Sequence, residues 1–276
     1  MNVTYYPGCT LKTKAKALDN YARASAEALG ITPVEPDDWQ CCGGVFTTAN
    51  DEIATKLASV RALKAAQLRG EPLVTVCSAC HNVLKQTNHA MQTDAAFADK
   101  VNRYMADETP YHGETMIYHY LELLRDVVGF DNVAKAVKKP LSGRKIAAYY
   151  GCLLLRPANV LQMDDPENPR IMEDLIRALG GEPVIFARRN ECCGGYVTME
   201  SPVLAAKNSG AVVQNAAAAG ADLIVTACPL CRYNLMKNGS ALPVVYFTEL
   251  LAEALGCKPS ASAAEPLGVK EDPDEN

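Results

Sequence analysis

Eleven of the 276 residues are cysteine, and ten of them stand in a pattern that repeats. Cys9, Cys41, Cys42, Cys77 and Cys80 read Cys-x31-Cys-Cys-x34-Cys-x2-Cys. Cys152, Cys192, Cys193, Cys228 and Cys231 read Cys-x39-Cys-Cys-x34-Cys-x2-Cys. Thiolates bind zinc and iron–sulfur clusters, and they also carry thiol–disulfide chemistry. A structural zinc needs four ligands, and so does a cubane cluster. Each half offers five. Zinc shared by the two Cys-x2-Cys pairs would leave Cys9, Cys152 and both Cys-Cys-Gly-Gly turns without a role. The pattern implies a thiolate-rich cluster with one ligand to spare in each half, and spacing alone does not say which cluster. Cys257 lies outside the repeat and reads as an inert thiol near the end of the last helix.

The repeat extends beyond the cysteines. Tyr5-Tyr6-Pro7-Gly8-Cys9 matches Tyr149-Tyr150-Gly151-Cys152, less one residue. Cys41-Cys42-Gly43-Gly44 matches Cys192-Cys193-Gly194-Gly195, and Val76-Cys77-Ser78-Ala79-Cys80 matches Ala227-Cys228-Pro229-Leu230-Cys231. Glu122-Leu123-Leu124 matches Glu249-Leu250-Leu251. Four matches in order imply a duplication with two copies, not a solenoid. The first half carries a polar surplus around 90–114, with Thr109, Pro110 and Gly113, which predicts an added helix and loop. Pro140–Gly143 reads as the linker. The expected units are 1–140, 141–257 and an acidic tail at 258–276.

The elements that must position these thiols alternate between β and α. Leu73–Val76, Lys145–Tyr150, Pro183–Ala187, Leu223–Ala227 and Val244–Phe247 read as strands. Ala-rich stretches at Asp51–Arg69 and Pro202–Ala219 read as helices, as do Pro169–Leu179 and Thr248–Leu255. Such alternation predicts α/β architecture with parallel sheets, whose ligand sites gather beyond the carboxyl ends of the strands. Cys152 and both Cys-x2-Cys pairs fall there. The paired glycines after Cys-Cys permit positive φ and a close approach of backbone N–H groups to cluster sulfurs.

Bulk composition narrows the function classes. Apolar residues make up 49% of the chain and the net charge is −5, so nothing points to a nucleic-acid binder. The N-terminus shows no basic and apolar leader, and no apolar run is long enough to span a membrane. The expectation is a cytoplasmic protein without direct membrane insertion, in which structural disulfides are disfavoured. The tail holds two Lys and five acids without periodicity and reads as disordered.

The doubled cysteine pattern over about residues 1–257 resembles the CCG-domain family, and the whole form is similar to the B subunits of the heterodisulfide reductase family. The resemblance implies two tandem, homologous, Rossmann-like CCG domains. It implies a noncubane [4Fe–4S] cluster in each, held by Cys9, Cys41, Cys42, Cys77 and Cys80 and by Cys152, Cys192, Cys193, Cys228 and Cys231. The two clusters would face each other across a small-molecule disulfide and cleave it reductively. Electrons would come from partners, a ferredoxin-like C subunit and a flavin-containing A subunit. The chain itself has neither a Gly-x-Gly-x-x-Gly fingerprint nor a ferredoxin cysteine run. Some members of the family serve instead in lactate-, glycolate- or quinone-linked systems, so a non-catalytic electron relay is the alternative. A zinc-stabilised interaction module is a third reading.

Other residues invite narrower expectations. His81, directly after Cys80, is a candidate proton donor to a departing thiolate; its counterpart is Arg232, so the role is not shared by both halves. His89, His112 and His119 read as surface or core residues. Lys12, Lys14, Lys16, Arg156, Arg188, Arg189 and Arg232 lie near the cysteine motifs, and a solvated helix face suits Lys14 and Lys16. Arg189 and Arg232, with Gly44 and Gly195 of the Cys-Cys-Gly-Gly turns, are the candidate substrate-binding residues. Trp39 stands two residues before Cys41, where it could shield a cluster from water or simply pack in the core.

Overall fold

A computed structural model of the chain describes residues 1–44, 53–106, 108–239 and 241–257. The acidic tail expected at 258–276 and the first residues of the helix expected at Asp51–Arg69 lie outside them. In the first half, the order is β1 (Asn2–Tyr5), α1 (Cys9–Thr13), α2 (Lys16–Ala28), β2 (Thr32–Val34), α3 (Ala54–Arg69), β3 (Leu73–Thr75), α4 (Ser78–Thr93), α5 (Ala95–Tyr104), β4 (Ile117–His119), α6 (Tyr120–Leu123) and α7 (Phe130–Ala136). A π-helical turn at Leu124–Val128 follows α6. The second half runs β5 (Lys145–Tyr149), α8 (Ala158–Leu161), α9 (Ile171–Ala178), β6 (Glu182–Val184), α10 (Pro202–Ala218), β7 (Leu223–Thr226), α11 (Pro229–Asn238), β8 (Val244–Tyr246) and α12 (Phe247–Leu255).

Each half builds a four-stranded parallel sheet, in the order β2-β1-β3-β4 and β6-β5-β7-β8. Thr4 pairs with Leu73 and Val34, and Ala147 pairs with Ile224 and Val184. The fold is α/β and duplicated, as the alternation implied. The strand order reverses between β1 and β3 and again between β5 and β7, and such switch points open a crevice at the carboxyl ends of the strands. The central strands β3 and β7 are buried along their whole length, which their apolar and β-branched residues match.

Local signals set the helix starts. Ser201 accepts a hydrogen bond from Leu204 N, with Pro202 in the first turn of α10. Asp94 accepts from Phe97 N and opens α5 in the polar surplus of the first half. Glu122 Oε2 accepts from His119 N at 2.8 Å, and Glu249 Oε2 accepts from Tyr246 N at 2.6 Å. The repeated Glu-Leu-Leu is therefore a helix-start device placed directly after the last strand of each sheet. It makes Phe247 the first residue of α12 rather than the end of a strand.

The halves share a core. One buried apolar cluster includes Tyr5 and Leu18 of the first half and Leu175, Val225 and Phe247 of the second. Helix α12 packs on α2, while α6 and α7 pack on α9. The last helices of each half thus cover the other. The linker is tied down as well, since Leu141 N donates to Leu179 O, and just before it Lys138 N and Lys139 N both donate to Ala254 O. A second, smaller cluster around Tyr149, Val212 and Leu235 lies within the second half.

Candidate metal centres

The thiols sit where the sheets present them. Cys9 opens α1 after β1, and Cys41 and Cys42 follow β2. Cys77 is the extended N-cap of α4, with Cys80 in its first turn. Cys228 and Cys231 hold the same places on α11. The strand must end and the helix begin at this motif, so both thiols lie at a helix N-terminus. Cys9 and Cys77/Cys80 flank the switch point of the first sheet, and Cys152 and Cys228/Cys231 that of the second.

Each set of five is brought together in the same way. Cys41 Sγ is 3.4 Å from Cys9 Sγ, and Cys42 Sγ is 3.5 Å from Cys80 Sγ. In the second half, Cys152 and Cys192 are 3.7 Å apart and Cys193 and Cys231 3.5 Å apart. Cys42, Cys77 and Cys80 are buried while Cys9 and Cys41 are exposed, and the second set has the same gradient. Thiol neighbours hold Cys42 and Cys192 well below the ordinary range, because Cys41 and Cys152 respectively hydrogen-bond to them. Crowding by neighbouring thiols, together with burial, pushes Cys80 and Cys231 up. Packing this many ionisable sulfurs into buried space costs free energy unless a cation neutralises them.

The surroundings fit a bulky sulfur-rich group. Gly43 N and Gly194 N point at Cys41 Sγ and Cys192 Sγ at 3.5 and 3.4 Å, and both glycines have positive φ. A Cβ at Gly8 would stand 2.6 Å from Cys80 Sγ, and one at Gly151 3.1 Å from Cys231 Sγ. A pocket is lined by all five second-half thiols together with Gly195, Tyr196 and Leu230. Among the described residues no three His, Cys, Asp or Glu side chains converge closely enough to cage a single ion. Close sulfur contacts run through all five thiols of each set, from Cys9 through Cys41, Cys42 and Cys80 to Cys77 and from Cys152 through Cys192, Cys193 and Cys231 to Cys228, a spread suited to several metal atoms rather than one.

The other expected site residues are placed as follows. Gly195 lines the pocket, and a Cβ there would meet Leu230 Cδ2 at 2.8 Å. Gly44 offers its carbonyl to the Tyr196 hydroxyl. Arg189 does not present its charge to a ligand: it is buried, and its guanidinium donates to Glu173 Oε1 and Asn168 Oδ1. Arg232 faces Glu249, its Nε 3.3 Å from Oε2. Arg188, Arg156 and Lys12 pair with Glu191, Glu167 and Glu35, and Lys14 and Lys16 are solvated. His81 is completely buried, its Nε2 2.8 Å from Glu122 Oε2 and its ring edge-on to His119. That setting suits packing and positioning, not the proton transfer expected from its place after Cys80. Burial lowers its pKa against the pull of Glu122. Trp39 packs edge-on against Tyr6 and donates to Glu35.

Four tyrosines gained no role from sequence alone. Tyr6 Oη donates to Gln40 O at 2.5 Å, and Tyr149 Oη donates to Glu191 O at 2.7 Å. Each anchors the residue before a Cys-Cys pair. Tyr5 and Tyr150 instead donate to Asp19 and Glu173. The repeated Tyr-Tyr was the available signal, but the two roles fall in opposite order in the two halves.

Comparison with known proteins agrees with this geometry. The family model of the CCG cysteine-rich domain matches twice, at residues 3–85 and 146–236. The 8-methylmenaquinol:fumarate reductase membrane anchor subunit of Wolinella succinogenes is 32% identical over 91% of this chain and 91% of its own. A protein of Archaeoglobus profundus, described as like the B subunit of heterodisulfide reductase, is 28% identical over 93% of this chain and 91% of its own. The crystal structure of a hypothetical protein from Helicobacter pylori shares the fold, with a TM-score of 0.74 and 11% identity. The match covers 93% of this chain but 49% of that longer one. With both halves matched and every motif cysteine in place, the chain belongs to the CCG cysteine-rich domain family, as a duplicated member related to the B subunits of heterodisulfide reductases.

Proposed function

We propose that this chain is the catalytic subunit of a multi-subunit iron–sulfur oxidoreductase that cleaves a small-molecule disulfide, or forms one in reverse. In this reading, units 1–140 and 141–257 each hold one noncubane [4Fe–4S] cluster on their five cysteines. The clusters supply one-electron steps and iron sites open to sulfur. The overall change is one disulfide plus two electrons and two protons giving two thiols. The chain's own residues hold and shape the site. At the start of α11 the Cys231 thiol and the backbone N–H groups of Cys231 and Leu230 favour the Cys228 thiolate. The glycine N–H groups at 43 and 194 hydrogen-bond ligand sulfurs. Apolar walls such as Leu230 and Leu153 exclude water.

The carrying observation is that the two Cys-x2-Cys turns, one from each thiol set, touch each other. Ser78, between Cys77 and Cys80, donates its Oγ to Ala227 O, next to Cys228, at 2.8 Å. A relay needs one path through the protein, whereas two matched sets side by side suit the two ends of one disulfide. A ferredoxin-like subunit and a flavin-containing subunit would deliver the electrons, in the cytoplasm. Among the described residues no helix is long and apolar enough to cross a membrane.

A second reading is favoured by the 32% identity to a subunit of a menaquinol:fumarate reductase. There the same clusters would pass electrons without touching a thiol. The deciding experiment uses anaerobically prepared protein reduced with a viologen. Viologen oxidation that depends on added 2-hydroxyethyl disulfide, with thiol released, supports catalysis. Clusters that reduce and reoxidise with no response to disulfide or thiol support the relay.

A further inference from the structure

Tyr246 stands at the end of β8 and is wholly buried. Its Oη lies 2.6 Å from Val76 O and 2.9 Å from Ala227 O, so one phenolic proton is shared by two carbonyls. Val76 is the residue before Cys77, and Ala227 is the residue before Cys228. The hydroxyl therefore joins the two peptide groups that lead into the two Cys-x2-Cys turns, one from each half.

The same carbonyls have further partners. His119, at the matching place at the end of β4, sets Nε2 3.2 Å from Val76 O. Its Nδ1 accepts from Leu121 N, which puts the ring proton on Nε2 as a donor. Ser78 donates both Oγ and N to Ala227 O, at 2.8 and 3.2 Å. Val76 O keeps His119 and Ala227 O keeps Ser78 if Tyr246 loses its hydroxyl, so the loss leaves neither carbonyl unpaired. Buried networks of this kind hold geometry because each lost member leaves a desolvated group behind.

We propose that Tyr246 is a positioning residue that fixes the separation and orientation of the two metal centres, so that they engage one substrate as a unit. The proposal rests on the two-centre reading above. Cys77 and Cys228 are each one peptide from the shared hydroxyl, and a shift of either peptide moves a ligand. The phenol acts through these backbone groups and touches no reacting atom.

The test uses the full chain, loaded anaerobically, as wild type, Tyr246→Phe, Ser78→Ala and Tyr111→Phe. Tyr111 is an equally buried tyrosine whose hydroxyl, among the described residues, bonds within the first half, to Asn88 and Thr115. Iron and sulfide per chain are measured first, and then the magnetic interaction between the centres, as paramagnetic line splitting and power saturation. Tyr246→Phe is expected to keep wild-type iron and sulfide while the splitting shifts or is lost. Ser78→Ala should change it likewise, and Tyr111→Phe should not. A merely structural role would lower loading or stability and leave the splitting of the loaded fraction unchanged, which overturns the proposal. Two loaded centres without interaction in the wild type would overturn it too. Should Tyr246→Phe not load, Ser78→Ala decides by the same criterion. Iron for a single centre in the wild type would instead defeat the two-centre reading.

Discussion

Tyr196 Oη donates to Gly44 O at 2.5 Å, joining the Cys-Cys-Gly-Gly turns of the two halves across 152 residues of chain. Tyr196 also lines the pocket of the second thiol set. Burial, and then the charge of thiols from both sets, pushes its hydroxyl up to about 12, so it remains a donor at neutral pH. The bond ties the turn that carries Cys41 and Cys42 to the turn that carries Cys192 and Cys193. Tyr196→Phe should cost about 1 kcal/mol of stability and speed the removal of iron by a chelator. Extraction at the wild-type rate would show that the bond does not guard the site.

Replacing any one of the ten motif cysteines by Ser should remove one centre and leave the other. Iron and sulfide should fall by about half, equally for Cys42→Ser and Cys193→Ser. Cys257→Ser should leave both unchanged. Elemental analysis of the variants checks this, and a complete loss of metal from one substitution would show that the halves share a single site.

Gly8 and Gly151 lie at φ 80 and 65, each against a ligand sulfur. Alanine adds about 1–3 kcal/mol of backbone strain and a Cβ 2.6 Å from Cys80 Sγ or 3.1 Å from Cys231 Sγ. Gly8→Ala should lower metal content more than Gly151→Ala. Unimpaired loading of both would mean that the cradle gives way easily.

Arg189 and Glu173 form a buried pair that also takes the Tyr150 hydroxyl. Arg189→Ala should destabilise the fold by about 3–5 kcal/mol, read by denaturant unfolding, while the folded fraction responds to added thiol as the wild type does. A loss of thiol response without loss of stability would return Arg189 to the substrate site.

Glu122 sets a pH limit. Burial raises its pKa, but His81, Lys85 and the His119 N–H outweigh that and hold it at about 2, against an ordinary 4.5. A carboxylate depressed on folding stabilises the protein fully above its unfolded pKa, and this contribution fades as the pH falls from about 4.5 toward 2. Unfolding of the metal-free protein should show this acid limb, and Glu122→Gln should flatten it. An unchanged limb would place the acid sensitivity elsewhere.

Much of the frame was legible because the repeat marks it. The strands before Cys77, Cys152 and Cys228 were readable as short apolar runs ending at cysteine, and the polar surplus at 90–114 became the end of α4, helix α5 and a loop. Strands β1, β2 and β4 went unassigned: they are no shorter than the strands that were read, but polar residues such as Asn2, Thr4, Thr32 and His119 break them, so no apolar run marks them. The exchange of helices between halves was hidden as well, since α12 reads as apolar whichever sheet it covers. The thiol sets could be listed from spacing. The polar contacts joining them, Tyr246 to Val76 and Tyr196 to Gly44, span 170 and 152 residues and leave no local mark. Arg189 misled for the same reason: it is close to Cys192 along the chain, yet its charge is committed to Glu173.

The most direct test is the content of iron, acid-labile sulfide and zinc in protein purified without oxygen. Two centres of four iron and four sulfide predict about eight of each per chain and no zinc. Zinc without sulfide would contradict the account, leaving a duplicated thiolate scaffold with no redox chemistry.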